Sequence, residues 1–248
     1  MLHLEHAWSM ILEVIHFVAF ALAVVGPILD IILTPRLKAS QNPNKRLYNY
    51  AGIVGLSVLF TVLGVQWLGS EALQSPFGPL HPALTALSVG IAGLLIWALG
   101  RPVLKIVRKP ELRAKTHRQL AVIDFMVPQS VAERRAFILV CLSAGICEEI
   151  LFRNFLIRYF QLAPWGWPLW LAVVVSLILF GLNHLYQGWR GALSTVIMAA
   201  MFAVMVAGFG SLIPAMVLHA LVDFRMLVLT LPIGHPFRDA QAESPTPA

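Results

Sequence analysis

Long apolar runs, separated by short polar or basic stretches, dominate this chain of 248 residues. Seven runs stand out, at about 8–33, 49–69, 83–100, 137–160, 167–186, 192–209 and 212–231. Each approaches or exceeds the roughly 20 residues that carry an α-helix across a bilayer. The pattern predicts an all-α polytopic membrane protein, a bundle of about seven transmembrane helices forming one domain over residues 1–248. The polar end, 238–248 (RDAQAESPTPA), reads as a disordered tail.

Composition agrees. Hydrophobic residues make up 58% of the chain and charged residues 12%, against about 25% charged in a soluble domain. A secreted disulfide scaffold, a disordered chain and a soluble nucleic-acid binder are all excluded. The net charge of +6 sits between the apolar runs, where basic residues set orientation and meet anionic lipid. Segments 35–48 and 101–135 hold thirteen of the eighteen Lys and Arg residues, and the stretch 70–82 holds none. With seven spans the rich segments share one side, which predicts an outside N-terminus and a cytoplasmic C-terminus. Arg158 runs against this distribution.

Within the basic segment 101–135, residues 103–126 mix cations with Leu, Ile, Val and Phe, with Pro110 between them. This reads as amphipathic pieces on the cytoplasmic leaflet. The spacing Ser130-Val131-Ala132-Glu133 then predicts a capping box where the fourth long helix begins. Cys141 and Cys147 face different sides of that helix and read as small apolar fillers.

Charged groups inside an apolar span each need a reason, because mid-bilayer charge costs about 2.5 kcal/mol or more. Glu13, His16 and Asp30 lie toward the ends of the first span and read as interfacial. The fourth span is different, since it contains Cys147-Glu148-Glu149-Ile150-Leu151-Phe152-Arg153. Glu149 and Arg153 are i,i+4 neighbours able to pair, while Glu148 points about 100° away. That leaves Glu148 suited to acid–base work; alternatively, Arg153 clamps both glutamates structurally. The fifth span ends at Phe180-Gly181-Leu182-Asn183-His184, and the seventh holds His219 and Asp223 at i,i+4.

Two chemistries fit these groups. In one, Glu148 and His184 take a proton from water attacking an amide, and His219, helped by Asp223, stabilises the oxyanion. In the other, His184, His219 and a carboxylate bind zinc, although no HExxH is present. By the span boundaries, Glu148 lies about 20 Å along its helix from Arg135, while His184 sits near the end of its own span.

Taken in order, the elements EExxxR (148–153), FxxxH (180–184) and HxxxD (219–223) resemble those of the CAAX prenyl endopeptidase and bacteriocin-processing family of intramembrane proteases. The resemblance covers about 136–231, a protease-like core; the first three spans match nothing. It implies a prokaryotic endopeptidase of the inner membrane, acting on membrane-associated peptides or lipid-anchored protein tails. Glu148 and His184 would activate water, and His219 and Asp223 would form the oxyanion site. Glu149 and Arg153 would support them, with no cofactor. Asp223 stands where eukaryotic members carry Asn. An ionised Asp only accepts hydrogen bonds, so Asp223 acts either in its protonated form or by orienting His219. The alternatives are a non-catalytic scaffold or bacteriocin-immunity protein with a structural polar site, and a proton relay, which would call for inverted repeats that are not found.

Overall fold

The computed structural model describes residues 12–78, 80–109, 112, 116, 120–162 and 164–230. These hold seven long helices and no named strand. They are α1 (Leu12–Ala39), α2 (Lys45–Leu68), α3 (Pro82–Arg108), α4 (131–161), α5 (Leu169–Leu182), α6 (Gly188–Phe209) and α7 (Ile213–Leu229). Each predicted run corresponds to one helix, and α1, α2, α3 and α6 are long and apolar enough to cross a membrane. The protein is an all-α membrane bundle.

Helix α4 runs through the middle of the bundle. Leu151, Phe155, Leu156 and Ile157 are buried against Val18 of α1, Ala172 and Phe180 of α5, Phe202 and Met205 of α6, and Ala215 of α7. The outward sides of the other helices expose large apolar residues such as Phe17, Ile31, Leu94 and Ile96. In a bilayer that surface costs nothing, because lipid tails replace water. Cys141 and Cys147 are free, buried thiols.

The two ends differ as antiparallel spans require. At one end Arg46 pairs with Asp124 at 3.0 Å and approaches Glu133 at 3.8 Å, so the two basic segments meet there. At the other, Arg158 is neutralised by Glu71 at 2.5 Å, which accounts for its place outside the general charge distribution. Asn154 strengthens that end by donating to the carbonyls of Glu71 and Ala72 at 2.7 and 3.1 Å.

Three boundaries depart from the sequence expectation. Helix α3 does not stop near Gly100 but continues to Arg108, so the first part of the basic segment is helix rather than a separate interfacial piece. It ends where Lys109 turns extended, as the residue before a proline prefers. Helix α4 starts at Val131, ahead of the apolar run, because the Ser130–Glu133 capping box forms as the spacing predicts: Ser130 N–H donates to Glu133 and Glu133 N–H to Ser130 Oγ. Helix α5 ends at Leu182, four residues early. Residues 110, 111, 113–115 and 117–119 of the basic segment, and the tail 238–248, lie outside the described residues.

Asp30 is also not a surface group at a helix end. Its carboxylate accepts the backbone N–H of Tyr186 at 2.8 Å and the Thr34 hydroxyl at 2.9 Å. A backbone donor left in the connection between α5 and α6 attracts it inward.

Candidate active site

The middle of α4, Ala144–Phe155, is wound as a π-helix. Such i→i+5 winding is rare and concentrates at functional sites. Two contacts accompany it. Gly145 lies so close to α7 that a Cβ there would meet the Ala220 nitrogen at 2.8 Å and the Met216 oxygen at 2.9 Å. On the opposite side the buried Ser176 hydroxyl of α5 donates to the Phe152 carbonyl.

The wider turn changes where the adjacent glutamates point. Glu149 Oε1 stands 2.7 Å from His219 Nδ1, and Glu148 Oε2 stands 3.7 Å from His219 Nε2. The two carboxylates therefore bracket one imidazole instead of diverging by the α-helical step. Because an ionised carboxylate only accepts, Nδ1 carries the proton and donates to Glu149.

Behind this contact Glu149 Oε2 pairs with Arg153 Nε at 3.2 Å. The pair is shut away from solvent, with side-chain exposures of 0% and 1%. Arg153 also lies 4.0 Å above the Phe180 ring and 6.0 Å from that of Phe202, which suits a guanidinium. Phe202 stacks on His219 at 5.3 Å. Arg153, Glu149 and the two rings thus hold His219 from behind and from one face.

In front of it, Glu148, His184 and Asp223 converge. His184 Nε2 is 3.9 Å from Glu148 Oε2, and His219 Nε2 is 3.8 Å from Asp223 Oδ2. His184 Nδ1 lies 2.8 Å from the Phe180 carbonyl. A carbonyl accepts only, so Nδ1 is the protonated nitrogen and Nε2 presents a lone pair toward Glu148. Glu148 is 19% and Asp223 32% exposed, so the cluster is reached from their side.

All six residues singled out from the sequence meet in this site, and one of their relations differs: Glu149, not Asp223, holds His219 by hydrogen bond. The ion pair of Arg153 is made with its i,i+4 neighbour Glu149, as the spacing predicts, and is not shared with Glu148. Phe202, Ser176 and Gly145 were not legible, since an aromatic, a serine or a glycine inside an apolar run carries no signal of its own.

The apparent difference in depth between Glu148 and His184 vanishes when both are counted from the turn joining α4 and α5. Glu148 is 13 positions before Gln161, and His184 is 15 positions after Leu169.

Zinc held tetrahedrally at about 2.0–2.1 Å keeps its donors roughly 3.4 Å apart. The pairs here stand 3.7 to 3.9 Å apart, and among the described residues no group of three or more His, Cys, Asp or Glu side chains is placed to hold a metal ion.

Arg153→Ala strands a buried carboxylate, a change that costs about 3–5 kcal/mol when one partner of such a pair is removed. The expected result is a lower yield of folded protein in membranes as well as lost activity, read by size-exclusion chromatography in detergent. Normal yield with normal activity would show that Glu149 has another partner.

Residues 131–225 match the family model described as type II CAAX prenyl endopeptidase, Rce1-like. No curated protein and no solved structure matches the chain. The matched stretch opens at the first residue of α4 and contains every residue of the cluster just described, while α1, α2 and α3 lie outside it. Over residues 131–225, which hold the whole cluster, the chain is similar to the Rce1-like type II CAAX prenyl endopeptidases.

Proposed function

We propose that this protein is an intramembrane endopeptidase that hydrolyses a peptide bond in membrane-associated peptides or lipid-anchored protein tails, using side chains alone. The observation that carries the reading is the convergence of Glu148 and the His184 Nε2 lone pair, 3.9 Å apart, beside a His219 already anchored through its other nitrogen. A water placed between Glu148 and His184 donates a hydrogen bond to each. As its oxygen attacks the scissile carbonyl, Glu148 takes the proton and later delivers it to the departing amine.

The tetrahedral oxyanion then needs donors. His219 serves when Nε2 is protonated, and the Glu149 carboxylate on Nδ1 balances the charge of that imidazolium. Asp223 lies beside the same nitrogen and contributes a donor in its protonated form. The excess of Lys and Arg where segments 35–48 and 101–135 meet supports placing that end at the cytoplasmic face, with the N-terminus outside.

Three outcomes test this. Glu148→Gln, nearly isosteric, should insert normally and lower cleavage by about 10²–10⁴-fold. Peptides that accumulate uncut in membranes of cells carrying this variant, and not the wild type at equal expression, would reveal the substrate and bond by mass spectrometry; retained cleavage would sink the general-base role. Asp223→Asn should stay within about tenfold of wild type, while Asp223→Ala should lose about 10²-fold, the usual loss for an oxyanion donor. Wild-type rates in both variants would remove Asp223 from the reaction, and an equal loss in both would overturn its donor role. Finally, a strong chelator should leave turnover unchanged, and a loss restored by zinc would overturn the metal-free scheme.

A further inference from the structure

His184 does not stand on a helix. Helix α5 has ended at Leu182, and His184 occupies the turn before the single 3-10 turn Leu185–Gln187 and the left-handed Gly188 (φ +78°). Its own bond to Phe180 sets the tautomer, but the position of the ring relative to Glu148 depends on what holds this turn. Besides its bonds back to α5, the turn is held by α1, which lies outside the matched stretch 131–225.

Three features of α1 engage the turn. Asp30 accepts the Tyr186 N–H at 2.8 Å, and is itself steadied by the Thr34 hydroxyl at 2.9 Å. Asn183, directly before His184, donates to the Leu22 carbonyl at 2.9 Å, within a second π-helical segment, Ala21–Val25. Gly26 lies against the Asn183 side chain so closely that a Cβ would collide with it. Asp30, a carboxylate on an apolar span, thus has one donor on its own helix and the other on this turn.

We infer that Asp30 is a positioning residue: by binding the Tyr186 N–H it fixes the turn that carries His184, so that the active site is completed from outside the family-matched segment. This rests on the water-activating role proposed for His184. A displacement of about 1 Å at a reacting group is enough to cost up to 10²-fold in rate, so loss of the contact reaches the chemistry without touching substrate.

The experiment uses the full chain in lipid nanodiscs and two variants, Asp30→Asn, which keeps an acceptor oxygen, and Asp30→Ala, which does not. Amide hydrogen exchange reads the turn directly. Cleavage of an internally quenched peptide ending in a farnesylated CAAX sequence reads the reaction. Asp30→Ala should speed exchange at Tyr186 by at least about tenfold and lower kcat by about ten- to hundredfold, with KM within about twofold. Asp30→Asn should restore both. Wild-type exchange in Asp30→Ala, an equal loss in Asp30→Asn, or a loss confined to KM would each overturn the inference. If Asp30→Ala yields no folded protein, Thr34→Val, close in volume, should give a smaller effect of about three- to tenfold on kcat, and no effect would count against it. A wild type that cleaves nothing would exclude a farnesylated CAAX tail as its substrate, and the exchange data would still decide whether Asp30 holds the turn.

Discussion

The 2.7 Å contact between Glu149 and His219 Nδ1 joins α4 to α7, and the rest of the site is arranged around it. Burying a carboxylate is costly unless a cation and hydrogen bonds accompany it. Arg153 supplies the cation from the next turn of the same helix, and the rings of Phe180 and Phe202 cover the guanidinium. With one nitrogen of His219 committed, the other is directed to the open side where Glu148 and Asp223 stand. Two adjacent glutamates thereby differ in setting: one is sealed in and orients a ring, the other keeps 19% of its side chain exposed.

That division depends on backbone winding. On a regular α-helix, adjacent side chains diverge by about 100°, yet these two carboxylates face the two nitrogens of one imidazole. The contacts form on the π-helical Ala144–Phe155 segment, with Gly145 admitting the backbone of α7 and Ser176 bonding the Phe152 carbonyl. The segment is the least regular part of α4 and among the most buried. Packing from every side is what sustains an unusual winding there.

Much of this was legible in the chain. Apolar runs located all seven helices, and the capping box at Ser130 marked the start of α4. The ionisable groups of α4, of α7 and of the turn after α5 pointed to the site because apolar spans tolerate so few of them. What stayed hidden depends on geometry that composition does not encode. Periodicity assumes α-helical winding, so it assigned the support of His219 to Asp223, its i,i+4 neighbour, instead of to Glu149. Asp30 sits toward one end of its run and could not be told from an interfacial group until its partner, a backbone N–H 156 residues away, was seen. The depth of His184 was misjudged because the apolar run continues past the point where α5 stops.

The early end of α5 has a consequence for the surrounding lipid. Fourteen residues make a rod of about 21 Å, whereas the hydrocarbon core is about 30 Å thick. Lipids beside a short helix adapt by thinning, drawing headgroups and their hydration inward at a modest energy per ångström. Here the thinned annulus would border the His184 turn, bringing water toward a site the bilayer otherwise keeps dry. Under the proposed function, membrane thickness becomes a variable of hydrolysis, with short acyl chains easing the mismatch and long or sterol-stiffened ones opposing it.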